Sequence, residues 1–250
     1  MELTVVIPSF GLDALLRTCL ASLATSLQVA GIDDVRVVVA DNGSTNPYRV
    51  EHLGGGRVEL LRFDQRTSFA RACNIAARSA PARRYLFLNN DVLLHPQAIA
   101  DVVGTMDAVR NAGICGARLV FPDDRIQHCG VRMDDGPLGP YHEFAGQPTA
   151  RVSRAIRDFP AVTGAVLLID GQLFDELGGF DEIYPFGYED LDLCLRAGQK
   201  GARITCAQAI DSLHFESMSN RDPGRHDLSR QQFWQRWKGR YTRVGSWQPP

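Results

Sequence analysis

Residues 85–91 read YLFLNND, four apolar residues followed by two amides and a carboxylate. A short apolar run of this kind is typical of a strand buried on both faces. Two earlier stretches have the same form, LTVVIP at 3–8 and VRVVVADNGS at 35–44. Apolar residues recur at helical spacing between these runs. The alternation predicts an α/β fold with a mostly parallel central sheet flanked by helices.

Length and composition favour an enzyme-sized α/β protein over a nucleic-acid binder. The chain has 250 residues, 44% of them hydrophobic, and a formal net charge of −2, whereas nucleic-acid binders usually carry a basic face. Its six cysteines form no C-x-x-C pair, which predicts small buried side chains in a reducing compartment. Neither a basic leader nor a long apolar run is visible, so we expect a cytoplasmic protein that can still dock at the inner face of the membrane.

The second half of the sequence has a less regular pattern. Strands are predicted at 114–121, 126–133 and 162–169, with a short last strand at 204–206. Residues 134–158 are rich in Gly, Pro and charge, which predicts a mobile surface loop.

Two carboxylates follow predicted strands, at Asp41 and Asp91. Ligands of parallel sheets bind beyond the carboxyl ends of the strands. There Asp91 is suited to bind Mg²⁺ or Mn²⁺, and Asp41 to accept hydrogen bonds from a nucleobase or ribose. Each residue taken alone is also compatible with an ordinary turn that bonds its own backbone.

Two further groups carry candidate chemistry. Glu189 and Asp190 open a predicted helix after an aromatic loop, where a carboxylate can deprotonate an acceptor hydroxyl or simply favour the helix dipole. His214 precedes Ser217 and Arg221, a set that can bind a metal through imidazole and phosphates through hydroxyl and guanidinium. A lone histidine is also often only a hydrogen-bonded structural residue.

In combination, these segments make the sequence resemble the family-2 glycosyltransferases, which have the Rossmann-like GT-A fold. Their order and spacing are family-like from position 3 to about 221, and the similarity is greatest to a bacterial branch that includes rhamnosyltransferases. The segments are TVVIPSF, VADNGS, FARACNIAA, YLFLNNDVLL, VTGAVLLID, GGFDEIYPFGYEDLDLCLR and LHFESMSNR.

The resemblance implies roles for individual residues. Asp91 would be the metal ligand of the family's D-x-D element, His214 a further metal or diphosphate ligand, and Asp190 the catalytic base, with Glu189 as the competing base. The implied cofactor is Mn²⁺ or Mg²⁺. The implied donor-binding residues are Pro8, Phe10, Asp41, Asn89, Asn90, Asp91, Gly164, Ala165, Ser217 and Arg221. The first Asp of D-x-D is Asn89 here, a weaker and neutral ligand.

The implied activity is inverting transfer of a sugar from a nucleotide-diphosphate donor to a saccharide or lipid-linked saccharide acceptor, in bacterial cell-surface polysaccharide synthesis. Residues 1–112 would bind the donor and residues 113–222 the acceptor. Two alternatives remain open: a nucleotidyltransferase that makes the donor, and a non-catalytic nucleotide- or sugar-binding module. Pro8-Ser9-Phe10-Gly11-Leu12 lacks the basic Gly-rich loop expected of the former.

The segment 223–250 is predicted to hold an aromatic and basic helix. Aromatic side chains beside cations suit a membrane interface or an anionic lipid-linked acceptor. The alternative is that the helix packs its aromatic residues on the core. The aromatic residues concerned are Phe233, Trp234, Trp237 and Tyr241.

Overall fold

The computed structural model describes residues 1–11, 13–49, 53, 58–134, 139–215 and 223–241. Its strands are β1 (Leu3–Ser9), β2 (Val35–Asp41), β3 (Val58–Arg62), β4 (Arg84–Leu88), β5 (Val92–Leu93), β6 (Ala112–Val120), β7 (Ile126–His128), β8 (Val131–Arg132), β9 (Tyr141–His142), β10 (Arg157–Asp158), β11 (Val166–Asp170) and β12 (Arg203–His214). Its helices are α1 (Asp13–Ala30), α2 (Phe69–Ser79), α3 (Ala98–Ala108), α4 (Gly171–Glu176), α5 (Glu189–Gln199) and α6 (Pro223–Trp237).

The first half of the chain forms the predicted parallel sheet. Strands β3, β2, β1 and β4 pair side by side and all run in the same direction. Beyond β4 the order continues with β11, β6, β12 and β10. Strand β11 is antiparallel to both of its neighbours, whereas β6 and β12 are parallel to each other. The expected mostly parallel central sheet is therefore confirmed, with one reversed strand in its middle.

Helices cover both faces of the sheet, because alternate strand residues point to opposite sides. On one face Val5 and Ile7 pack with α1 and α3. On the other face Val6 and Phe87 pack with α2, α4 and α5. All six cysteines are free and buried, as their apolar surroundings predicted.

Strand β12 is much longer than the predicted strand at 204–206. It runs from Arg203 to His214, and its pairing with β6 shifts register between Ala207 and Asp211. Gln208, Ala209 and Ile210 have no partner residue in the β6 register there, and the polar Gln208 is buried. The irregularity disrupts the apolar pattern by which a strand is recognised in sequence.

The described residues of 134–158, predicted to form a surface loop, are mostly irregular and exposed, but short regular elements hold parts of the segment. Strand β9 pairs with β8, a 3₁₀ turn spans Thr149–Arg151, and β10 pairs with β12. The buried Arg118 guanidinium donates hydrogen bonds to the carbonyls of Thr149, Val152 and Ser153. A remote arginine thus holds a segment whose own composition indicates a loop.

Helix α6 packs on the core, which confirms that alternative for Phe233 and Trp237. Both side chains are buried beside Tyr184 and Leu195. None of the helices in the described part of the chain has the length and apolarity that a membrane span requires.

A buried carboxylate, Asp192 of α5, connects α6 to the rest of the protein. Its Oδ1 accepts hydrogen bonds from Tyr184 Oη at 3.1 Å and from Trp237 Nε1 at 2.8 Å. Its Oδ2 accepts one from Arg196 Nε at 2.6 Å, and Arg236 lies 3.2 Å from Oδ1. One side chain therefore joins α5, α6 and the aromatic loop between α4 and α5.

Replacing Asp192 should strongly destabilise the protein. Asp192→Ala leaves two guanidinium groups without a carboxylate at this position and two further buried donors unpaired, a loss of about 3–5 kcal/mol in the free energy of unfolding. Urea unfolding of the variant and the parent measures it. The matched control is Asp181→Ala, which removes the other, more exposed carboxylate bound to Arg236 and should cost under about 1 kcal/mol. Equal losses in the two variants would contradict the central role of Asp192.

Candidate active site

A cleft of about 700 Å³ opens at the edge of the sheet where β1 and β4 end. Ten of the predicted site residues line it, so segments far apart in sequence converge there. They are Pro8, Phe10, Asn89, Asn90, Asp91, Gly164, Ala165, Glu189, Asp190 and His214.

Of the remaining predicted donor-binding residues, only Asp41 is among the described residues, and it is not part of that lining. Asp41 is fully buried, and its carboxylate pairs with Arg62 and accepts a hydrogen bond from the Ser44 backbone N–H at 3.0 Å. Its contact with a nucleobase stays a prediction. Ser217 and Arg221 lie outside the described residues.

Asp91 and His214 come together because β4 and β12 end close to each other. Asp91 follows β4, and His214 is the last residue of β12. The Phe215 backbone N–H donates to the Asp91 carbonyl at 3.1 Å. His214 Nε2 lies 3.1 Å from Asp91 Oδ1, and both side chains are almost fully buried. The two predicted metal ligands are thus in direct contact.

The two amides of this turn have different partners. The Asn90 Nδ2 group donates to Ser9 Oγ at 2.7 Å, and Ser9 in turn bonds the Tyr48 hydroxyl. Asn89 Nδ2 lies 3.5 Å from His214 Nε2, at the limit of a hydrogen bond. Asn90 therefore connects the turn to the end of β1, while Asn89 lies beside His214, one of the two predicted metal ligands.

The two predicted metal ligands, Asp91 and His214, would suit a divalent cation that also binds a substrate. No group of three or more His, Cys, Asp or Glu side chains in the described part of the chain is arranged to hold a metal. Asp91 and His214 do supply one carboxylate oxygen and one imidazole nitrogen on adjoining positions. A cation bound by two protein groups leaves further positions for phosphate oxygens and water, as is usual for Mg²⁺.

Elsewhere in the lining of the cleft, Asp190 is held by the backbone. Its Oδ2 accepts a hydrogen bond from the Gly164 N–H at 2.8 Å, and its Oδ1 accepts one from the Leu191 N–H at 2.8 Å. Burial raises the pKa of Asp190, and these two donors oppose the rise. Gly164, predicted to permit close approach of a substrate, here orients the carboxylate.

Glu189 has a different environment from its neighbour. It is buried, and within the described residues its Oε2 has no hydrogen-bond partner. Burial, and then the adjacent Asp190 carboxylate, raise the pKa of Glu189 from 4.5 to about 8. At neutral pH Glu189 therefore retains its proton, while the two backbone donors favour the charged form of Asp190.

The turn that presents this pair is strained and is held by α6. Tyr188, directly before Glu189, has a φ of 73°, an unfavourable value for a residue with a side chain. Its ring packs between His226 and Phe233 of α6, and Ser229 Oγ accepts a hydrogen bond from the Phe186 N–H. The C-terminal helix thus stabilises the conformation that brings Glu189 and Asp190 to the cleft.

Several lining residues were missed by sequence reasoning. Gln127 contacts His214, and His142 lies near Asp190. Arg225 and His226 come from α6. The Arg66 guanidinium lies 4.2 Å from the centre of the Phe10 ring. Only the basic and aromatic character of α6 gave any signal for these residues, because the others sit in segments without a recognisable motif.

Comparisons with known proteins agree with this geometry. The family model described as Glycosyl transferase family 2 matches residues 4–128, half of the chain. Relatives include the O-antigen biosynthesis protein RfbC of Myxococcus xanthus, 28% identical over 88% of this chain, and the N-acetylglucosaminyl-diphospho-decaprenol L-rhamnosyltransferase of Mycobacterium tuberculosis, 25% identical over 80%. The predicted similarity to a bacterial branch that includes rhamnosyltransferases is confirmed.

The relatives differ greatly in length. The chain spans 73% of the mycobacterial enzyme but only 18% of the Myxococcus protein. A validoxylamine A glucosyltransferase of Streptomyces hygroscopicus is 35% identical over 82% of this chain, which spans 50% of that enzyme.

Solved structures confirm the GT-A fold. GalNAc-T7 with UDP, GalNAc and Mn²⁺ superposes with a TM-score of 0.67 at 18% identity, covering 89% of this chain and 45% of its own. The mannosyltransferase PcManGT of Pyrobaculum calidifontis with GDP-Man and Mn²⁺ gives 0.62 at 15% identity, covering 88% and 58%.

The raised pKa of Glu189 predicts how stability depends on pH. The folded state keeps the Glu189 proton up to about pH 8, whereas the unfolded chain loses it near pH 4.5. Folding stability should therefore fall as pH rises between these values. Glu189→Gln removes the penalty and should stabilise the protein at pH 8 by on the order of 1–3 kcal/mol. Denaturant unfolding from pH 5 to 8 tests this expectation.

A surface glutamate provides the control for that series. Glu176 is about half exposed and pairs with Lys200, so Glu176→Gln should leave the pH dependence unchanged. The expectation is wrong if Glu189→Gln and the parent protein show the same slope.

Proposed function

The chain belongs to glycosyl transferase family 2, and on that premise we propose that it transfers a sugar from a nucleotide-diphosphate donor to an acceptor hydroxyl. The observation that carries the proposal is the division of the cleft. The same lining holds two separate pairs, Asp91 in contact with His214, and the neighbouring acids Glu189 and Asp190. Such a division matches a reaction that stabilises a leaving diphosphate on one side and activates a nucleophile on the other.

On the donor side, Asp91 and His214 would hold a divalent cation, Mn²⁺ or Mg²⁺. When bound there, the cation would neutralise charge that develops on the leaving diphosphate. Support comes from the two solved structures, which contain Mn²⁺ together with UDP or GDP-Man. Pro8, Phe10 and Asn89 lie on the same part of the cleft and would contact the nucleotide. Asp41 is buried and does not line the cleft, so it would influence the nucleobase from below the cleft surface.

On the acceptor side, Asp190 would be the general base. The Gly164 and Leu191 N–H groups fix both carboxylate oxygens and favour the charged form that can accept a proton. Glu189 would remain neutral and donate a hydrogen bond to the acceptor. With one base opposite one leaving group, a single displacement inverts the configuration at the anomeric carbon.

The two halves of the chain would divide the substrates between them. Residues 1–112 carry Pro8, Phe10 and Asp91 and would bind the donor. Residues 113–222 carry Gly164, Glu189 and Asp190 and would bind the acceptor, while His214 of the same half would contribute to the donor side. Helix α6 would complete the acceptor side, because Arg225, His226 and Asp227 line the cleft there.

The acceptor would be a saccharide or a lipid-linked saccharide in cell-surface polysaccharide synthesis. This rests on the names of the relatives, one of which is an O-antigen biosynthesis protein and another a rhamnosyltransferase acting on a diphospho-decaprenol acceptor. A lipid-linked acceptor would bring the cleft to the cytoplasmic face of a membrane. The buried Phe233 and Trp237 are then committed to the core and take no part in membrane contact.

Removal of Asp91 should abolish metal-dependent donor binding. Calorimetry with UDP and GDP, each with Mn²⁺ or with EDTA, should show tight binding only for the parent protein with Mn²⁺. Asp91→Ala should reduce that affinity to the EDTA level while leaving the unfolding midpoint close to that of the parent. The control is Asp41→Asn, which keeps the lining of the cleft and the metal dependence. Equal affinities with Mn²⁺ and EDTA in the parent protein would refute metal-dependent binding.

Substitution of the two acids should have opposite consequences for turnover. Asp190→Asn should lower kcat by about 10²-fold or more while nucleotide affinity is retained, because the base is lost and the donor site is not. Glu189→Gln should keep kcat within about tenfold, since an amide can replace a neutral carboxyl as donor. The assay is release of nucleoside diphosphate with a sugar donor and a saccharide acceptor.

The same assay separates the alternatives. Loss of turnover in Glu189→Gln with normal turnover in Asp190→Asn moves the base to Glu189. A product that retains the donor's anomeric configuration rejects the single displacement. Release of pyrophosphate identifies a nucleotidyltransferase, and binding without any release identifies a non-catalytic module.

A further inference from the structure

Gln127, the middle residue of β7, makes two contacts with the same histidine. His214 Nδ1 lies 2.6 Å from Gln127 Oε1, and Gln127 Nε2 donates to the His214 backbone carbonyl at 3.2 Å. The glutamine side chain is almost fully buried. Both ends of its amide are therefore committed to His214.

These two contacts determine which way the amide points. Only its NH₂ group can donate to the His214 carbonyl, because a carbonyl has no proton. The opposite orientation would set the amide oxygen against the carbonyl oxygen at hydrogen-bond distance. The oxygen Oε1 must therefore face Nδ1, and Nδ1 must carry a proton to donate to it.

When Nδ1 carries the single proton of the His214 ring, Nε2 presents a lone pair toward Asp91. Asp91 Oδ1 lies 3.1 Å from that nitrogen and also offers only lone pairs when ionised. Two acceptors that face each other at this distance repel each other unless a second ring proton or a metal cation lies between them. The arrangement is suited to a cation bound by both atoms.

We propose that Gln127 is a positioning residue that fixes the Nδ1–H tautomer and the ring orientation of His214, leaving Nε2 free to bind the cation. This inference rests on the proposed function. Without Gln127, the neutral ring would gain most by carrying its proton on Nε2 and donating it to Asp91. That hydrogen bond would occupy both metal ligands at once. Partners of the other ring nitrogen commonly hold metal-binding histidines in this way.

Two substitutions of Gln127 separate this role from a purely structural one. Gln127→Leu keeps a buried side chain but removes the acceptor for Nδ1–H. Gln127→Glu restores an acceptor at that position while it loses the donor to the His214 carbonyl. Gln208→Leu is the matched control, because Gln208 is equally buried and its Nε2 bonds the Cys129 carbonyl instead.

The first measurement is the affinity for Mn²⁺ alone, by electron paramagnetic resonance. Gln127→Leu should weaken binding by about 10–100-fold relative to the parent, while Gln127→Glu and Gln208→Leu should stay within a few-fold of it. Equal weakening in Gln127→Leu and Gln127→Glu would assign Gln127 a structural role and overturn the inference. Unchanged affinity in Gln127→Leu would overturn it as well.

The second measurement needs no metal. Nitrogen-15 NMR of the histidine rings in the metal-free protein at alkaline pH should show His214 protonated at Nδ1 in the parent, with His214→Ala identifying the signal. In Gln127→Leu the proton should move to Nε2. A parent protein already protonated at Nε2 would overturn the inference even if Mn²⁺ binds. If the tautomers are as expected but Mn²⁺ does not bind with or without UDP or GDP, the metal-dependent function fails and the positioning role of Gln127 stands.

Discussion

The antiparallel pairing of β11 with β4 is the constraint on which the cleft depends. Because β11 runs against β4, its first residues lie beside the last residues of β4, and the Asn89 N–H donates to the Ala165 carbonyl at 2.9 Å. The turn before β11 therefore reaches the same sheet edge as Asp91. A parallel strand would have sent that turn to the opposite edge. One reversed strand thus brings Gly164, and through it Asp190, into the same cleft as Asp91 and His214.

The two pairs of side chains in the cleft handle charge by different means. The facing atoms of Asp91 and His214 are 3.1 Å apart, and either a proton or a bound cation between them would relieve the repulsion of two lone pairs. The carboxylate of Asp190 accepts hydrogen bonds from two backbone N–H groups, which favour its charged form, and its neighbour Glu189 avoids a second buried charge by retaining a proton. Under the proposed function, the first pair is completed by a bound ligand, whereas the second is preorganised by the protein itself.

How much of this site the sequence predicts depends on the range of each interaction. Asp91 was identifiable because it follows a predicted strand, whereas the metal role of His214 was inferred from its neighbouring residue types and from the family resemblance, because the predicted last strand ended at 206. Gln127 was not identifiable, because its partner is 87 residues away and nothing in IQHCG marks it. The same limit applies to the fold: local periodicity predicted β1, β2 and β4, but the bulged β12 and the segment held by Arg118 depend on remote partners. Periodicity reports burial of a face, and it carries no information about which distant polar group a buried side chain meets.

The C-terminal helix shows why acceptor recognition is hard to deduce from the family resemblance alone. The family-like segments end near residue 221, yet the aromatic loop before Glu189 has its φ-strained Tyr188 supported by α6. The carboxylate of Asp192 binds both this loop, through Tyr184, and α6, through Trp237. The acidic pair and the side chains of α6 that line the cleft are consequently parts of one packed unit. A change in α6 therefore alters both the part of the cleft that α6 lines and the conformation of the turn that carries Asp190. Under the proposed function, the choice of acceptor and the placement of the base would be physically coupled.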